Sequence, residues 1–416
     1  MALEIEGSNP FAHPIFPYIE EVKADRGLKV NCLSDLPANY VVVREGKPNG
    51  ENWIFRIKTS VGREITAVAV SQPNISRTGP TWSYIFENVG INTIDVGSPG
   101  SFESLKDGYK AAGIDLPDIQ NSIVSHGHSD HDGTIPDFIR ESKADLCAHE
   151  SYAFLKPYKS WDIQDFSTTT LQRELTAISK TRVDKIDLEN RVNRDEEYYS
   201  KRKNTDVMVP LSHGMIIGDM KIISTPGHSP DQICMAIDDV IFTGDHVLPE
   251  ITPHPTTKMV FKEFFSKSIT GNKFRFESLY GLGVYMKSLG VISQVDSGTI
   301  LLPAHRLYNR GKLNTIGPSR AKDIVEHHAH RLSRLLKVIE AKESSLEDLT
   351  RGIFSRGKLL GGNLMAALSE VVAHLEFLED TEDIKVEADG MISCVAAKKY
   401  NYVPIIDQML AGPGQV

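Results

Sequence analysis

Cysteine is scarce in this chain, and the few present stand apart. Cys32, Cys147, Cys234 and Cys394 are scattered along 416 residues without a CxxC pair, so no disulfide framework is expected. Long apolar runs are missing too: nothing approaches the ~18 consecutive apolar residues of a membrane-spanning helix. Neither sign of charge dominates. The formal net charge of −9 is modest and gives no electrostatic reason to expect nucleic acid or an anionic membrane as the main partner. The opening residues, MALEIEGSNPFAHPIF, lack the basic start and apolar core of a secretory signal. Internal repeats and low-complexity segments are absent. These absences leave an ordinary globular protein, expected in a reducing cytoplasm.

What is present falls into three parts. Residues 1–63 read as an N-terminal extension, with a short helix near Tyr18–Asp25 and two strand-like stretches, NYVVVRE and WIFRIKT. Residues 64–318 read as the main domain. EITAVAVS, WSYIFENVG and INTIDVGSPG are expected strands, and SFESLKDGYKAAG has helical spacing behind a capping Ser. MKIISTPG, DVIFTGD and GTILLPAH look like further, buried strands. A charged insert spans about 151–209. Its TLQRELTAISKTRVDKIDLENRV reads as a helix with alternating charge, hence a solvated face. Residues 319–416 read as three helices and a hairpin turning at Asp389-Gly390, a winged-helix-like module with a tail. In a DNA-binding version the third helix carries basic residues. Here residues 361–380 hold no Lys or Arg, so packing or a homodimer contact is expected instead.

Chemistry concentrates in IVSHGHSDHDGT. His126, His128, Asp130 and His131 follow an apolar strand, and Gly127 lets the backbone bend. On a helix, His126 and His128 would diverge. In a loop leaving a strand end, the four side chains can turn toward adjacent ions. Imidazole and carboxylate together suit zinc, and also iron or manganese. The same local grammar recurs: KIISTPGH ends in His228, VIFTGD in Asp245 and TILLPAH in His305. Strand ends on a rigid sheet position such groups well.

This ordered set resembles the metallo-β-lactamase superfamily. The resemblance implies an α+β fold, a four-layered αββα sandwich with a dinuclear metal site at one edge. It implies that His126, His128 and His228 hold one divalent ion, that Asp130, His131 and His305 hold the other, and that Asp245 bridges them. TGDHVLPEITPH, LLPAH and the C-terminal helical module look more like the glyoxalase-II-like and lactamase-β-2-like hydrolases than like the antibiotic-degrading enzymes, which often place Cys where Asp245 stands.

Two such ions, most simply zinc, lower the pKa of a shared water and polarise a carbonyl or phosphoryl oxygen. The expected enzyme is therefore a hydrolase using a metal-bound hydroxide on a carbonyl ester, a thioester or lactone, with Asp130 relaying the proton. A phosphodiesterase or endoribonuclease is the alternative, with SKRKN at Ser200–Asn204 as the one basic run that could guide a backbone. An iron-dependent oxidoreductase is a third reading, and a non-catalytic binding role a fourth. His246, His254 and Tyr308 are candidates to support the ligands or touch substrate. Asp132 reads as a helix-start carboxylate, Cys234 as core and His149 as structural. His327, His328 and His330 read as a helix face rather than a second metal site.

Overall fold

The computed structural model describes residues 36–411 except 74–75, 77, 160–162, 166–168, 183–195, 264, 266–274, 360–362 and 397–398. The helix expected near Tyr18–Asp25 lies outside the described residues.

Two-residue alternation along the strands builds the layers. Eight strands form the first sheet in chain order: β1 (Tyr40–Arg44), β2 (Ile54–Lys58), β3 (Glu64–Val70), β4 (Thr81–Glu87), β5 (Ile91–Ile94), β6 (Ile119–Val124), β7 (Asp145–His149) and β8 (Val209–Leu211). The second sheet holds β9 (Ile216–Ile217), β10 (Met220–Ser224), β11 (Ile233–Ile237), β12 (Val240–Gly244) and β13 (Ile300–Pro303), in the order β13-β12-β11-β10-β9. In β3, Ile65, Ala67 and Ala69 enter a central core, while Val68 and Val70 face the other way. In β11, Ile233, Met235 and Ile237 meet the same central core, and Cys234 faces outward from it. The sheets thus share one apolar layer, and each keeps a second apolar face to cover.

Helices cover both faces. Phe102–Ala112 and Ile135–Ser142 pack Leu105, Tyr109, Ile135 and Phe138 on the first sheet. Leu282–Ser293 and Ser319–Ala341 cover the second with Tyr285, Met286, Leu289 and Ile324. The four-layered αββα sandwich follows. The first sheet runs unbroken across position 63, because β2 pairs with β3 from Lys58–Glu64 to Ile54–Val68.

Beyond residue 318 the helices Ser319–Ala341, Leu346–Ile353 and Asn363–Asp380 precede the hairpin Ile384–Val386/Ile392–Cys394 and a last helix, Tyr402–Ala411. Gly390 has a φ of 85° in the hairpin turn, a conformation that favours glycine. Leu368, Val371, Val372 and Leu375 sink into the apolar cluster that covers the second sheet. The helix Thr170–Arg182 joins it through Leu171 and Leu175. Its alternating charge therefore marks only one side of the helix, and the opposite side is core. Among the described residues, no helix is long and apolar enough to cross a membrane.

Candidate metal centre

Five strand ends converge at one edge of the sandwich. Asp95 follows β5, His126 to His131 follow β6, His228 follows β10, Asp245 follows β12 and His305 follows β13. Backbone bonds tie the two sheets together here: Ile233 N–H donates to Ser125 O at 2.9 Å, and Trp82 N–H to Ala304 O at 2.8 Å. Gly227 makes the turn before His228 with φ +126°, where a Cβ would come within 2.3 Å of the Tyr285 backbone. Only glycine meets both demands.

Three of the five rings are held from behind. The Nδ1 of His131 meets Asp95 Oδ2 at 2.8 Å, that of His228 meets His254 O at 2.8 Å, and that of His305 meets Pro80 O at 3.0 Å. An acceptor at Nδ1 assigns the proton to that nitrogen and leaves the Nε2 lone pair facing inward. The Nε2 atoms of His131, His228 and His305, with Asp245 Oδ1, are all buried without a hydrogen-bond partner. Such orphans are costly unless something else meets them.

Asp245 stands at the centre. Its Oδ2 lies 3.6 Å from both His131 Nε2 and His228 Nε2, and its Oδ1 lies 3.6 Å from His305 Nε2. Asp130 Oδ2 is 3.2 Å from His305 Nε2, and Asp130 Oδ1 is 3.6 Å from His131 Nε2. His126 Nε2 and His128 Nδ1 are 2.9 Å apart. Ligand bonds of about 2.0–2.1 Å in a tetrahedron set neighbouring ligands about 3.3 Å apart, and these spacings bracket that value. Three overlapping triads arise: His126, His128 and His228; His126, His131 and Asp245; Asp130, His131 and His305. The donor set therefore fits a metal cation.

The electrostatics point the same way. Burial depresses the pKa of His126 well below its ordinary value, with the neighbouring histidines adding to it, and burial also lowers His228. Burial opposes charge on His131 and His305 as well, yet Asp130 and Asp245 outweigh it and raise both. The Asp245 carboxyl, which burial alone would raise, is pulled down to about 2 by His305 and His131. Asp130 is likewise held well below the usual carboxylate range by His131 and His305, and its side chain stays 30% exposed at the mouth of the site. A divalent cation would meet the negative demand that here draws protons onto two rings.

All seven sequence-selected side chains meet here. His254 takes part through its carbonyl, behind His228. His246 packs its ring against Tyr285, 5.5 Å away, under the covering helix, and the Tyr308 ring packs at a tilt against Trp53, 4.2 Å between centres. His149 bonds Ser151 and Ser224, and Cys234 is core, its thiol pushed up to about 12 by burial. Asp132 ends the one-turn helix Ser129–Asp132 rather than starting Ile135–Ser142, whose N-cap is Thr134, and the Asp132 carboxylate is buried against Tyr152, Tyr198 and Arg202. That Arg202 is the middle of SKRKN, so the run turns its central cation inward; Lys201 and Lys203 stay exposed, and Lys201 pairs with Glu197 at 2.9 Å. Asp95 escaped the sequence reading, although NTID followed by a Gly two residues on repeats the strand-end grammar of the ligands.

The family model described as "Metallo-beta-lactamase superfamily" matches residues 77–305. Among solved structures, the chain is similar to a metallo-beta-lactamase family protein from Thermus thermophilus, with 17% identity and a TM-score of 0.57 over 80% of this chain and 98% of that one. It is also similar to a beta-lactamase domain protein from Burkholderia ambifaria, with 18% identity and a TM-score of 0.57 over 82% of this chain and 93% of that one. At these identities the likeness is one of fold. Among curated proteins, none matches the sequence.

Proposed function

This chain belongs to the metallo-beta-lactamase superfamily, and from that membership we propose that it is a hydrolase of small carbonyl esters, thioesters or lactones, dependent on two divalent ions and acting in the cytoplasm. The observation that carries the reading is the set of buried ligand atoms, His131 Nε2, His228 Nε2, His305 Nε2 and Asp245 Oδ1, gathered within ion-pair distance of one another and left without a hydrogen-bond partner. His126, His128 and His228 would hold one ion, Asp130, His131 and His305 the other, and Asp245 both. Zinc is the metal the donor set favours. When bound, the ions supply Lewis acidity, activating a water near neutral pH and polarising the scissile carbonyl.

The protein's own part is orientation and proton handling. Asp95 and the carbonyls of His254 and Pro80 fix which nitrogen of His131, His228 and His305 faces inward. Asp130, the exposed carboxylate of the set, is placed to accept a proton from the attacking water and pass it to the leaving group. An ester substrate is favoured over a phosphodiester because Arg202 of SKRKN is buried against Asp132, which leaves only Lys201, paired with Glu197, and Lys203 exposed to meet a phosphate backbone. The glyoxalase-II-like branch and a winged-helix-like C-terminal module remain the finer reading of TGDHVLPEITPH, LLPAH and residues 319–416.

Metal analysis of the purified protein should find about two equivalents of zinc. The loaded enzyme should then turn over acyl-CoA, p-nitrophenyl esters or lactones in preference to bis-p-nitrophenyl phosphate. Preference for the phosphodiester would reverse the substrate assignment. Asp130→Asn should lower turnover by about 10²–10⁴-fold with metal retained; unchanged turnover would remove Asp130 from the proton path.

A further inference from the structure

Residues 196–203 of the insert are helical, with Tyr198, Tyr199 and Arg202 buried. A buried arginine needs its charge met. Arg202 is 7% exposed, and its Nε lies 3.0 Å from Asp132 Oδ2. That N–H is not aimed at the oxygen, so the contact is Coulombic rather than a directed hydrogen bond. The guanidinium also lies over the Tyr152 ring, 4.9 Å from its centre, and 5.6 Å from the centre of Tyr198. The same two tyrosines donate their hydroxyls to Asp132. Asp132 directly follows Asp130 and His131. The insert and the helix Glu150–Leu155 therefore pin the far end of the ligand loop.

A second contact lies at the near end of that loop. Gly127 separates His126 from His128, and a Cβ placed on it would lie 2.3 Å from Arg202 Nη2, 2.9 Å from Asp231 Oδ2 and 3.0 Å from Tyr152 Cδ2. The guanidinium is packed directly against the backbone between two ligands. Asp231 belongs to the turn after His228, where it accepts from Ser229 Oγ. One side chain from the insert thus presses on the loop that carries four of the seven donors, beside the turn that carries a fifth.

We propose that Arg202 is a positioning residue for the metal centre: it holds the loop of His126, His128, Asp130 and His131 in register with the turn of His228. The role rests on reading the site as a metal centre. Arg202 touches neither ligand atom nor substrate and acts through the loop backbone and Asp132. It also gives the insert a function, as the element that locks the first ligand loop. Groups that orient metal ligands from behind are worth about 10–100-fold in metal affinity.

The test separates positioning from mere ion pairing. Arg202→Met leaves Asp132 buried and unpaired, so it is paired with the double variant D132N/R202M, which removes both charges and keeps the volume. Metal affinity is measured by competition with a chelator, the Co(II) absorption spectrum reads ligand geometry, and the Tm of metal-free protein reads the fold. Arg202→Met is expected to weaken the tighter equivalent about ten-fold or more and to alter the Co(II) bands. The double variant is expected to regain the metal-free Tm without regaining affinity or spectrum. Recovery of all three in the double variant overturns the proposal, and so do wild-type affinity and spectrum in Arg202→Met. Wild-type protein that takes up no metal overturns the functional reading and this role with it, whereas wild-type uptake with an unaffected Arg202→Met overturns this role alone.

Discussion

The seven donors at the sandwich edge and the trio His328, Glu370 and His374 between the C-terminal helices share several local features. Both bring ligating atoms to close range, most of them buried. His126 and His128 place two ring nitrogens 2.9 Å apart, and His328 and His374 place theirs 3.0 Å apart. Each set leaves buried atoms without a hydrogen-bond partner, among them His328 Nε2 and Glu370 Oε2 in the second. The difference is a cation. Arg331, 2% exposed, pairs with Glu370 and reaches His327 at 3.0 Å. Among the described residues, no Lys or Arg is paired with the edge carboxylates Asp130 and Asp245, whose ion-pair partners are histidines. A count of donors therefore does not distinguish a metal site from a polar network inside a core; whether the protein supplies its own counter-charge does.

The comparison breaks most visibly at Asp245. Asp245→Ala removes the one carboxylate that all three facing rings share, and turnover should fall by more than about a hundred-fold, beyond the reach of outer partners, with metal lost on elemental analysis. His374→Ala should leave metal content at the wild-type level. A loss of one equivalent in His374→Ala would place a cation where the comparison denies one. Arg331→Leu comes next. It leaves Glu370 buried and unpaired, at a cost of about 3–5 kcal/mol, read as a lowered denaturation midpoint. Adding Glu370→Gln should recover much of that. If Arg331→Leu takes up one more equivalent of zinc than the wild type and gains more stability from it, the arginine is what keeps metal out of the second cluster.

A third carboxylate sharpens the contrast. Histidines pull Asp245 down to about 2, whereas burial pushes Glu376 up to about 7, against bonds donated by Lys258 N at 2.7 Å and Gln172 Nε2 at 2.9 Å. A carboxyl whose pKa is higher folded than unfolded supports folding fully below its unfolded value near 4.5 and loses that support as pH rises through 7. Relative to wild type, Glu376→Gln should therefore gain stability between pH 5 and 8.5, by up to about 3 kcal/mol. Parallel Tm curves for the two proteins across that range would show that Glu376 is already ionised in the fold.

The ligands were legible because their signal is local: an apolar run, a turn residue, a donor. The layers were legible for a similar reason, since short apolar runs such as EITAVAV and DVIFTGD mark strands without knowledge of the partner sheet. Arg202 and Asp132 were not legible. SKRKN has the composition of a solvated face, and only tertiary packing turns its middle residue inward against tyrosines and a glycine far away in sequence. Asp132 sits close enough to TIPDFIRES to pass for a helix start, but its partners come from the insert. The histidines of Ser319–Ala341 gave no sign of which ring would meet Glu370 and His374, because that depends on how two distant helices cross.

Asp95 lies between these cases, and its substitution is the finest test of the comparison. Its Oδ2 accepts from His131 Nδ1 at 2.8 Å and from Ser125 Oγ at 2.7 Å, and its Oδ1 accepts from Ser125 N at 2.8 Å. In the helical cluster the corresponding support is backbone: His374 Nδ1 donates to Glu370 O one turn earlier, at 2.7 Å. The edge site thus spends a charged side chain on orienting a ring that the helix orients without one. Asp95→Asn keeps the volume but can offer only one oxygen, either to His131 or to Ser125 N. Metal affinity should fall about 10–100-fold at the position His131 serves, with the fold and the other equivalent retained in a chelator competition. Undiminished affinity would mean that the loop backbone alone holds His131, as the helix holds His374. The two clusters would then differ only in whether the protein supplies the cation.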